Sequence, residues 1–443
     1  MDNGVSGTRQ LGKRCWRASR PSHEPHGWEF GIHRFGRGRN LSVSAKHTGL
    51  STVPGILTAG IHSGIKRAPE LDLALILSTH DTTAAGVFTT NKCSAASVAV
   101  TRRHIRAGKI RAIITNSGNA NACTGQRGLS DTINMASFTA EALDLKPNQV
   151  CVGSTGIIGK PLPIQRIRKA VPELVRQLKP SGGRNAARAI ITTDSRIKEA
   201  SATANISGKL VTIGGIAKGA GMIHPNMATM LGYLATDAEV ERTALQHALK
   251  FAVEESFNAV TIDGETSTND MVLCLANGLA KNSRIRLETS AMRSFQRLLT
   301  EVCLNLAKQI CHDGEGTTKV IQVVVNQART RRDAKKMAMV IGTSNLVKTA
   351  MFGQDPNWGR IMAAIGRASV PIKPDRISLA FDTVTVVKNG IGIGIASDRA
   401  AKKVLRKREF TITIDLGIGQ GHDRIWTTDL TPAYVALNAH YPT

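Results

Sequence analysis

The chain has 443 residues, of which 42% are apolar, enough for two or three domains of roughly 150 residues with hydrophobic cores. Its seven cysteines are odd in number and contain no CxxC pair, which fits neither a disulfide framework nor a zinc site. The net charge of +25 favours an anionic partner, yet aromatic residues make up only 4% and no RNA-binding signature appears, so a solvated basic surface is a better interpretation than nucleic-acid binding.

Residues 1–50 differ in composition from the rest of the chain. They hold nine Lys or Arg against three acids, with stretches rich in Gly, Ser and His and no clear hydrophobic period. This composition predicts a disordered or targeting extension, and no apolar core of a secretory signal is present. A cytoplasmic location is expected, with the mitochondrial matrix as the alternative if this segment is a transit peptide.

From Asp72 to Thr101, short apolar runs alternate with Gly, Thr and Asn, a pattern typical of strands and turns, and the run ASVAVT at 96–101 is included among them. Helical periodicity follows in four segments, at 129–145, 163–178, 240–256 and 290–310. Further strands are predicted at 110–118, 207–219, 318–326, 376–390 and 409–421. This mixed order favours a layered α/β fold with largely antiparallel sheets.

One segment contains no charge although the chain is rich in Lys and Arg: the 18 residues from Gly219 to Thr236. Glycines and a proline interrupt it too often for a membrane-spanning helix, so it is expected to be buried, functional or both. At its centre Ala228 precedes Thr229. A threonine exposed as an N-terminus carries its own general base, because its α-amine titrates near ~8. Taken alone, however, the pair favours a buried apolar hairpin.

Other candidate sites fail on detail. GGIAKGAG at 214–221 has Gly219 where a phosphate-binding loop needs Ser or Thr. GIGIGI at 390–395 lacks the third Gly of a dinucleotide fingerprint and predicts a strand that another backbone approaches closely. CHDGEG at 311–316 predicts a polar turn, and the 12 histidines show no metal-ligand spacing. No metal or cofactor is therefore expected.

Seven motifs occur along the chain: AGVFTTN (85–91), NSGNANACTG (116–125), GSTGIIG (153–159), KGAGMIHPNMATML (218–231), DGETSTND (263–270), DPNWGRI (355–361) and DLTPAYVALNAHYPT (429–443). In this order they make the chain, from about Val53 to Thr443, resemble the ornithine acetyltransferases of arginine biosynthesis. Members of that family are glutamate N-acetyltransferases and often also amino-acid N-acetyltransferases.

The resemblance implies that the protein cuts its own Ala228–Thr229 bond, leaving an α chain of 228 residues and a β chain of the remaining 215 of the 443 residues. It further implies that Thr229 becomes the nucleophile that accepts the acetyl group, and that Thr155 and Gly156 form the oxyanion hole. These residue types suit that role, because a Gly-flanked turn can direct a backbone N–H and a hydroxyl at a developing negative oxygen.

The resemblance also implies six substrate-binding residues: Thr192, Lys218, Thr229, Glu315, Asn438 and Thr443. An amino-acid substrate brings a carboxylate, which suits Lys218, Asn438 or a hydroxyl, and an ammonium, which suits Glu315. Thr193 is the alternative to Thr192. Two positions depart from the family pattern: Ile197 stands where Pro often follows TTDSR, which leaves the path of the loop after Thr192 open, and Thr428 replaces the usual Cys before DLT.

The fold implied by the resemblance is an αββα catalytic sandwich over 51–325, with autoprocessing of the N-terminal-nucleophile type, followed by a smaller α/β domain over 326–443. The implied reaction moves acetyl from N2-acetyl-L-ornithine to L-glutamate through an acetyl-threonyl enzyme, and whether acetyl-CoA is a second donor is left open. An α2β2 heterotetramer is expected, with no nucleic-acid or membrane partner. The alternative function is an amidase or aminopeptidase with the same N-terminal nucleophile.

Overall fold

A computed structural model of the protein describes residues 48–224 and 230–440. In chain order the strands are β1 (Ile56–Ile61), β2 (Leu73–Ser78), β3 (Thr83–Phe88), β4 (Ala112–Asn119), β5 (Val150–Ile157), β6 (Lys198–Ile206), β7 (Lys209–Lys218), β8 (Leu231–Thr236), β9 (Met271–Ala276), β10 (Val320–Ala328), β11 (Ser378–Phe381), β12 (Val384–Lys388), β13 (Ile391–Gly392), β14 (Glu409–Asp415) and β15 (Gly421–Thr428). The α-helices are α1 (Ala96–Ala107), α2 (Gly125–Ala142), α3 (Ile164–Arg176), α4 (Gly183–Ile190), α5 (Arg242–Glu255), α6 (Ser290–His312), α7 (Arg331–Gly342), α8 (Asn345–Phe352), α9 (Trp358–Gly366), α10 (Ile395–Val404) and α11 (Pro432–His440). None of the helices within these two ranges combines the length and hydropathy needed to span a bilayer.

The strands form three sheets, with the orders β1-β2-β4-β5, β3-β9-β8-β7-β6 and β13-β12-β11-β14-β10-β15. Most neighbouring strands run antiparallel, and the parallel pairs are β4 with β5, β8 with β9, and β10 with β14. The expectation of largely antiparallel sheets is confirmed.

The four-stranded and five-stranded sheets pack face to face. The core between them contains side chains from both, among them Ile76 and Ile113 from the first sheet and Tyr233 and Leu273 from the second. Because side chains alternate along a strand, the other face of each sheet buries a second set. Helices α2 and α3 cover the outer face of the four-stranded sheet, and α5 and α6 cover that of the five-stranded sheet. These four layers are the αββα sandwich that was predicted.

A separate core joins the six-stranded sheet to helices α7, α8, α9 and α10. Its buried side chains run from Ile321 to Ile425 and include Met337, Ile361 and Phe381. This is the smaller α/β part that the sequence implies. The domain boundary between 325 and 326 stays a prediction.

The run ASVAVT is helical, so the prediction of a strand there was wrong. It opens α1, in which Val98, Thr101 and Ile105 lie buried on one face. The helix ends at Ala107 and is capped by Gly108, whose φ of +99° gives the left-handed conformation that glycine adopts without strain. A short run of β-branched residues suits both a strand and a buried helix face, and packing decides between them.

The four helices predicted from periodicity are confirmed as α2, α3, α5 and α6, with ends displaced by at most four residues. The close approach expected at GIGIGI is also found: a Cβ on Gly390 would collide with the Pro374 carbonyl group, and one on Gly392 would lie 2.6 Å from the Trp358 ring. However, β13 is only two residues long, and Ile395 already begins a helix.

The densest basic run, RTRRDAKK, lies at the start of α7 and is partly neutralised. Arg331 pairs with Glu255 and, at 3.1 Å, with Asp423, while Lys335 pairs with Glu254. These pairs hold α7 against the end of α5. Part of this basic run therefore joins α7 to α5 and is not a free cationic surface.

Candidate active site

Lys218 ends β7 and points into the interior. Its side chain is buried, and its Nζ donates to the Thr155 hydroxyl at 3.4 Å. Thr155 is itself buried near the end of β5, in the facing sheet. Two of the residues that the sequence implies for the site, far apart in the chain, are thus brought into contact across the sandwich.

The backbone at Gly156 can be occupied only by glycine. Its φ is +130°, and a Cβ there would collide with the backbone of Gly118 and Asn119 on the neighbouring strand. Gly118 and Gly156 are partners in the β4–β5 ladder. The position of Thr155 beside this close approach is compatible with the predicted oxyanion hole, whose role stays a prediction.

The chain between Lys218 and residue 225 is anchored by hydrogen bonds with two half-buried residues, Asp263 and Glu315. The Asp263 carboxylate accepts hydrogen bonds from the backbone N–H groups of Met222 at 2.6 Å and Ile223 at 3.0 Å. The backbone N–H of Glu315 donates to the Ala220 carbonyl at 2.9 Å. Burial raises the pKa of Asp263, and these N–H donors oppose that shift by favouring the ionised form.

After residue 229, the chain is fixed by Asp270. The backbone N–H of Met230 donates to Asp270 Oδ1 at 2.8 Å, and β8 begins at the next residue. Leu231 pairs with Lys218 in the β7–β8 ladder. The described chain therefore brings Lys218 beside a residue only two positions after Thr229. Ala228 and Thr229 themselves lie outside the described residues.

Glu315 and Asn438 are brought together. Asn438 Nδ2, on α11, donates to Glu315 Oε2 at 2.9 Å. A Cβ on Gly221 would lie 2.5 Å from the Glu315 carboxyl group, so this side chain rests against the segment that follows Lys218. Thr443, predicted in the same cluster, lies outside the described residues.

Thr192 is joined to Lys218 through a carboxylate that the sequence analysis missed. The Thr192 N–H donates to Asp194 Oδ2 at 3.0 Å, and the Gly219 N–H donates to Asp194 Oδ1 at 2.6 Å. Asp194 also receives Lys198 Nζ at 2.6 Å. The choice between Thr192 and Thr193 as the substrate ligand stays a prediction.

The electrostatics of the site centre on Lys218. Burial lowers the pKa of its ammonium, whereas Asp194, Asp270 and Glu315 raise it and Lys198 lowers it further. Burial would raise the pKa of Asp194, but Lys218, Lys198 and the hydrogen bonds to its oxygens hold it well below its ordinary value. The arrangement suits an anionic group of a substrate, because a desolvated ammonium attracts a carboxylate strongly.

Nothing in residues 48–224 and 230–440 gathers three or more His, Cys, Asp or Glu side chains in a way that could hold a metal ion. The groups that do converge are hydroxyl, ammonium, carboxylate and amide groups, together with glycine backbone. Such a set can bind an amino acid at both of its charged ends and stabilise a negative oxygen.

Comparisons of the sequence with known proteins agree with one another. The model of the ArgJ family matches residues 57–443. The arginine biosynthesis bifunctional protein ArgJ of Syntrophotalea carbinolica is 49% identical, over 86% of this chain and 97% of its own length. The protein of the same name from Symbiobacterium thermophilum is 46% identical, over 89% and 98%. A crystal structure of ArgJ from Bacillus halodurans, 40% identical, covers 46% of this chain and 96% of its own, with a TM-score of 0.45.

Proposed function

The chain belongs to the ArgJ family, and from this membership we propose that it transfers the acetyl group of N2-acetyl-L-ornithine to L-glutamate in arginine biosynthesis. The structural observation that carries the proposal is the convergence of Lys218, Thr155, Glu315 and Asn438 around the two chain segments that flank the Ala228–Thr229 bond.

The proposed reaction has two half-reactions at Thr229. Its free α-amine takes the hydroxyl proton, Oγ1 attacks the acetyl carbonyl carbon, and the bond from that carbon to the ornithine nitrogen breaks as the nitrogen receives the proton. The amine of glutamate then attacks the acetyl-threonyl ester, and Thr229 regains its hydroxyl. Thr155 and Gly156 donate hydrogen bonds to the carbonyl oxygen while it carries negative charge.

Charge complementarity indicates which residue binds each end of the substrate. The ammonium of Lys218 binds the α-carboxylate that both amino acids carry, and Glu315, fixed by Asn438, receives the side-chain ammonium of ornithine. Thr192 and Thr443 complete the contacts in this proposal. Because each half-reaction uses the same nucleophile, the two amino acids occupy the site in turn.

Maturation uses the Thr229 hydroxyl on the peptide bond that precedes it, by an N-to-O acyl shift followed by hydrolysis. The two resulting chains have reason to stay together: β7 lies before the cut and β8 after it, and six residue pairs join these strands. The buried ion pair of Lys198 with Asp313, at 2.5 Å, also crosses the cut. The α2β2 assembly and the cytoplasmic location remain predictions.

Acetyl-CoA is proposed as a second acetyl donor to Thr229. The relatives are named bifunctional, which supports two routes to one acetyl-enzyme. In that reaction the thiolate of CoA leaves with the proton held by the Thr229 amine, and glutamate again takes the acetyl group.

The alternative of an N-terminal-nucleophile amidase is less well supported, because membership of the ArgJ family favours a transferase. Labelled N2-acetylornithine distinguishes the two. We expect the label to appear in N-acetylglutamate only when glutamate is added. Release of labelled acetate at the same rate with or without glutamate would identify a hydrolase. Tight RNA binding that weakens steeply with salt, without any acetyl transfer, would instead favour the nucleic-acid interpretation.

Replacement of Glu315 by Gln tests the ornithine contact. We expect kcat/KM for acetylornithine to fall roughly 30-fold, because the ammonium of the substrate loses its counter-ion. This fall corresponds to a loss of about 2 kcal/mol of transition-state stabilisation. Cleavage into two chains should persist. Glu301→Gln, on the exposed side of α6, is the matched control and should leave the kinetics unchanged. Unchanged kinetics of Glu315→Gln would remove this residue from the site.

A further inference from the structure

Three charged side chains outside the predicted site form a buried ion network. Lys198 Nζ lies 2.6 Å from Asp194 Oδ1 and 2.5 Å from Asp313 Oδ2, and the three side chains are 1%, 0% and 3% exposed, in that order. Buried charges are costly unless each is paired and hydrogen-bonded. The fold must therefore provide a partner for each of these three charges.

The network joins three chain segments, each of which carries or adjoins a predicted substrate-binding residue. Asp194 accepts the backbone N–H groups of Thr192 and Gly219, at 3.0 and 2.6 Å, and Gly219 directly follows Lys218. Asp313 accepts the backbone N–H groups of Ser195 and Arg196, at 3.1 and 3.2 Å, as well as the Ser195 hydroxyl. Asp313 lies two positions before Glu315 in the same loop.

The charges of this group balance only when Lys218 is included. Asp194 and Asp313 carry two negative charges, of which Lys198 compensates one, so that the second is left for the buried Lys218 ammonium. The other charged groups that act on Lys218 are Asp270 and Glu315, which favour its protonated form, and Lys198 and Lys66, which oppose it. Among the carboxylates, Asp194 exerts the largest effect on Lys218.

We propose that Asp194 is a positioning residue for acetyl transfer, which holds the Thr192 and Lys218 segments together and serves as the counter-ion of Lys218. This inference rests on the proposed function, since it assigns to Lys218 the task of binding the substrate carboxylate. Asp194 touches no substrate in this scheme. It acts through the backbone of Thr192 and Gly219 and through the charge of Lys218.

The proposal gives Asp194 an effect on the pH profile that a purely structural residue would lack. The Thr229 amine must be unprotonated to act as a base, so it governs the acidic side of the profile of kcat/KM. Lys218 must be protonated to bind a carboxylate, so it governs the alkaline side. Burial lowers the pKa of Lys218 and Asp194 opposes this, so loss of the Asp194 charge should make Lys218 lose its proton at lower pH.

The test uses Asp194→Asn in the full chain, with kcat and KM for acetylornithine measured from pH 6.5 to 10. The alkaline limb is the fall of kcat/KM at high pH. We expect it to move to lower pH by about one unit or more, because removal of an opposite charge lowers the pKa of a buried ammonium. In the pH range between the two limbs we expect KM to rise, by up to about tenfold for a shift of about one pH unit, with a smaller change in kcat. A denaturing gel should still show two chains.

Two further variants separate the counter-ion role from damage to the fold. Asp237→Asn replaces another buried aspartate that accepts a backbone N–H, that of Thr212 near the opposite end of β7, and should leave the alkaline limb in place. The double variant Lys198→Met with Asp313→Asn removes one charge of each sign but keeps Asp194 facing Lys218. Because Lys198 lowers the pKa of Lys218, the alkaline limb of this variant should lie at or above that of the wild type, even if its melting temperature falls.

The outcomes are distinct. If the wild type does not transfer acetyl, the proposed function fails. If the wild type transfers acetyl and Asp194→Asn has an unchanged KM and alkaline limb, the positioning role of Asp194 is wrong. If Asp194→Asn does not fold, the double variant decides: an alkaline limb at or above that of the wild type supports Asp194 as the counter-ion, and one that moves down overturns it.

Discussion

Thr229→Ala is expected to yield one uncut chain of 443 residues that folds but transfers no acetyl group. The hydroxyl that it removes is the proposed nucleophile of both chain cleavage and acetyl transfer. On either side of the bond the chain is held through backbone N–H groups that the substitution leaves in place: that of Met230 donates to Asp270, and those of Met222 and Ile223 donate to Asp263. The fold should therefore form without the cut.

A denaturing gel and N-terminal sequencing check this result. Wild-type protein should run as two bands of similar size, with the second chain beginning TMLGYL. Thr229→Ser retains a hydroxyl but lacks the methyl group that restricts χ1, so cleavage should persist at a lower rate with reduced turnover. Thr236→Ala is the matched control: it removes the buried hydroxyl that donates to the Thr212 carbonyl at 2.8 Å, at the far end of β8. It should cost about 1 kcal/mol of stability and leave cleavage intact.

Two results would contradict this mechanism. Cleavage of Thr229→Ala at the same bond would show that another group attacks the peptide. Acetyl transfer at full rate by uncut wild-type protein would show that a free α-amine at Thr229 is not the base.

The layered fold could be predicted from the sequence because its long elements have clear periods. The 23 residues of α6 repeat apolar side chains at helical spacing, and the strands predicted at 110–118 and 318–326 are found as β4 and β10. Helix α1 could not be predicted in this way, since its first six residues are small or β-branched and suit either structure. Only their packing against β5 and β3 distinguishes the two.

The candidate site, too, could be predicted only in part from the sequence. Lys218, Thr155 and Glu315 could be named because they stand in motifs of a recognisable family, but their contacts depend on tertiary structure. Asp194 and Lys198 are four positions apart, a spacing that indicates a solvated helical pair. In the structure Lys198 begins a strand instead, and its second partner, Asp313, lies 115 residues away. The burial of this network follows from the stacking of the segments, which no local pattern contains.

After loss of Thr229 itself, Thr155→Val is the substitution expected to slow the chemistry most without preventing the fold. Valine has nearly the same shape as threonine but no hydroxyl, so the side chain still fills its buried position at the end of β5. The developing oxyanion then loses one of its two proposed donors. Removal of one such donor typically costs about 3 to 4 kcal/mol of barrier, or about 10² to 10³ in kcat.

Separate measurement of the two half-reactions makes the prediction specific. Both acetylation of Thr229 and transfer to glutamate pass through a negatively charged oxygen at the same carbon, so both rates should fall by similar factors. KM should change little, because the ground-state amide carries no full charge on that oxygen. A large rise in KM with unchanged kcat would instead place Thr155 among the substrate-binding groups, through its 3.4 Å contact with Lys218.

Thr115→Val supplies the matched control on the adjacent strand. Thr115 is buried, donates to the Tyr233 hydroxyl at 2.8 Å and pairs with Gly153 across the β4–β5 ladder. Its substitution also removes one buried hydroxyl from the same pair of strands, and should lower the free energy of unfolding by about 1 kcal/mol with kcat unchanged. If Thr115→Val slows both half-reactions as much as Thr155→Val, the loss arises from disturbance of the strands and Thr155 is no oxyanion donor. If only Thr155→Val does so, the end of β5 acts on the transition state itself.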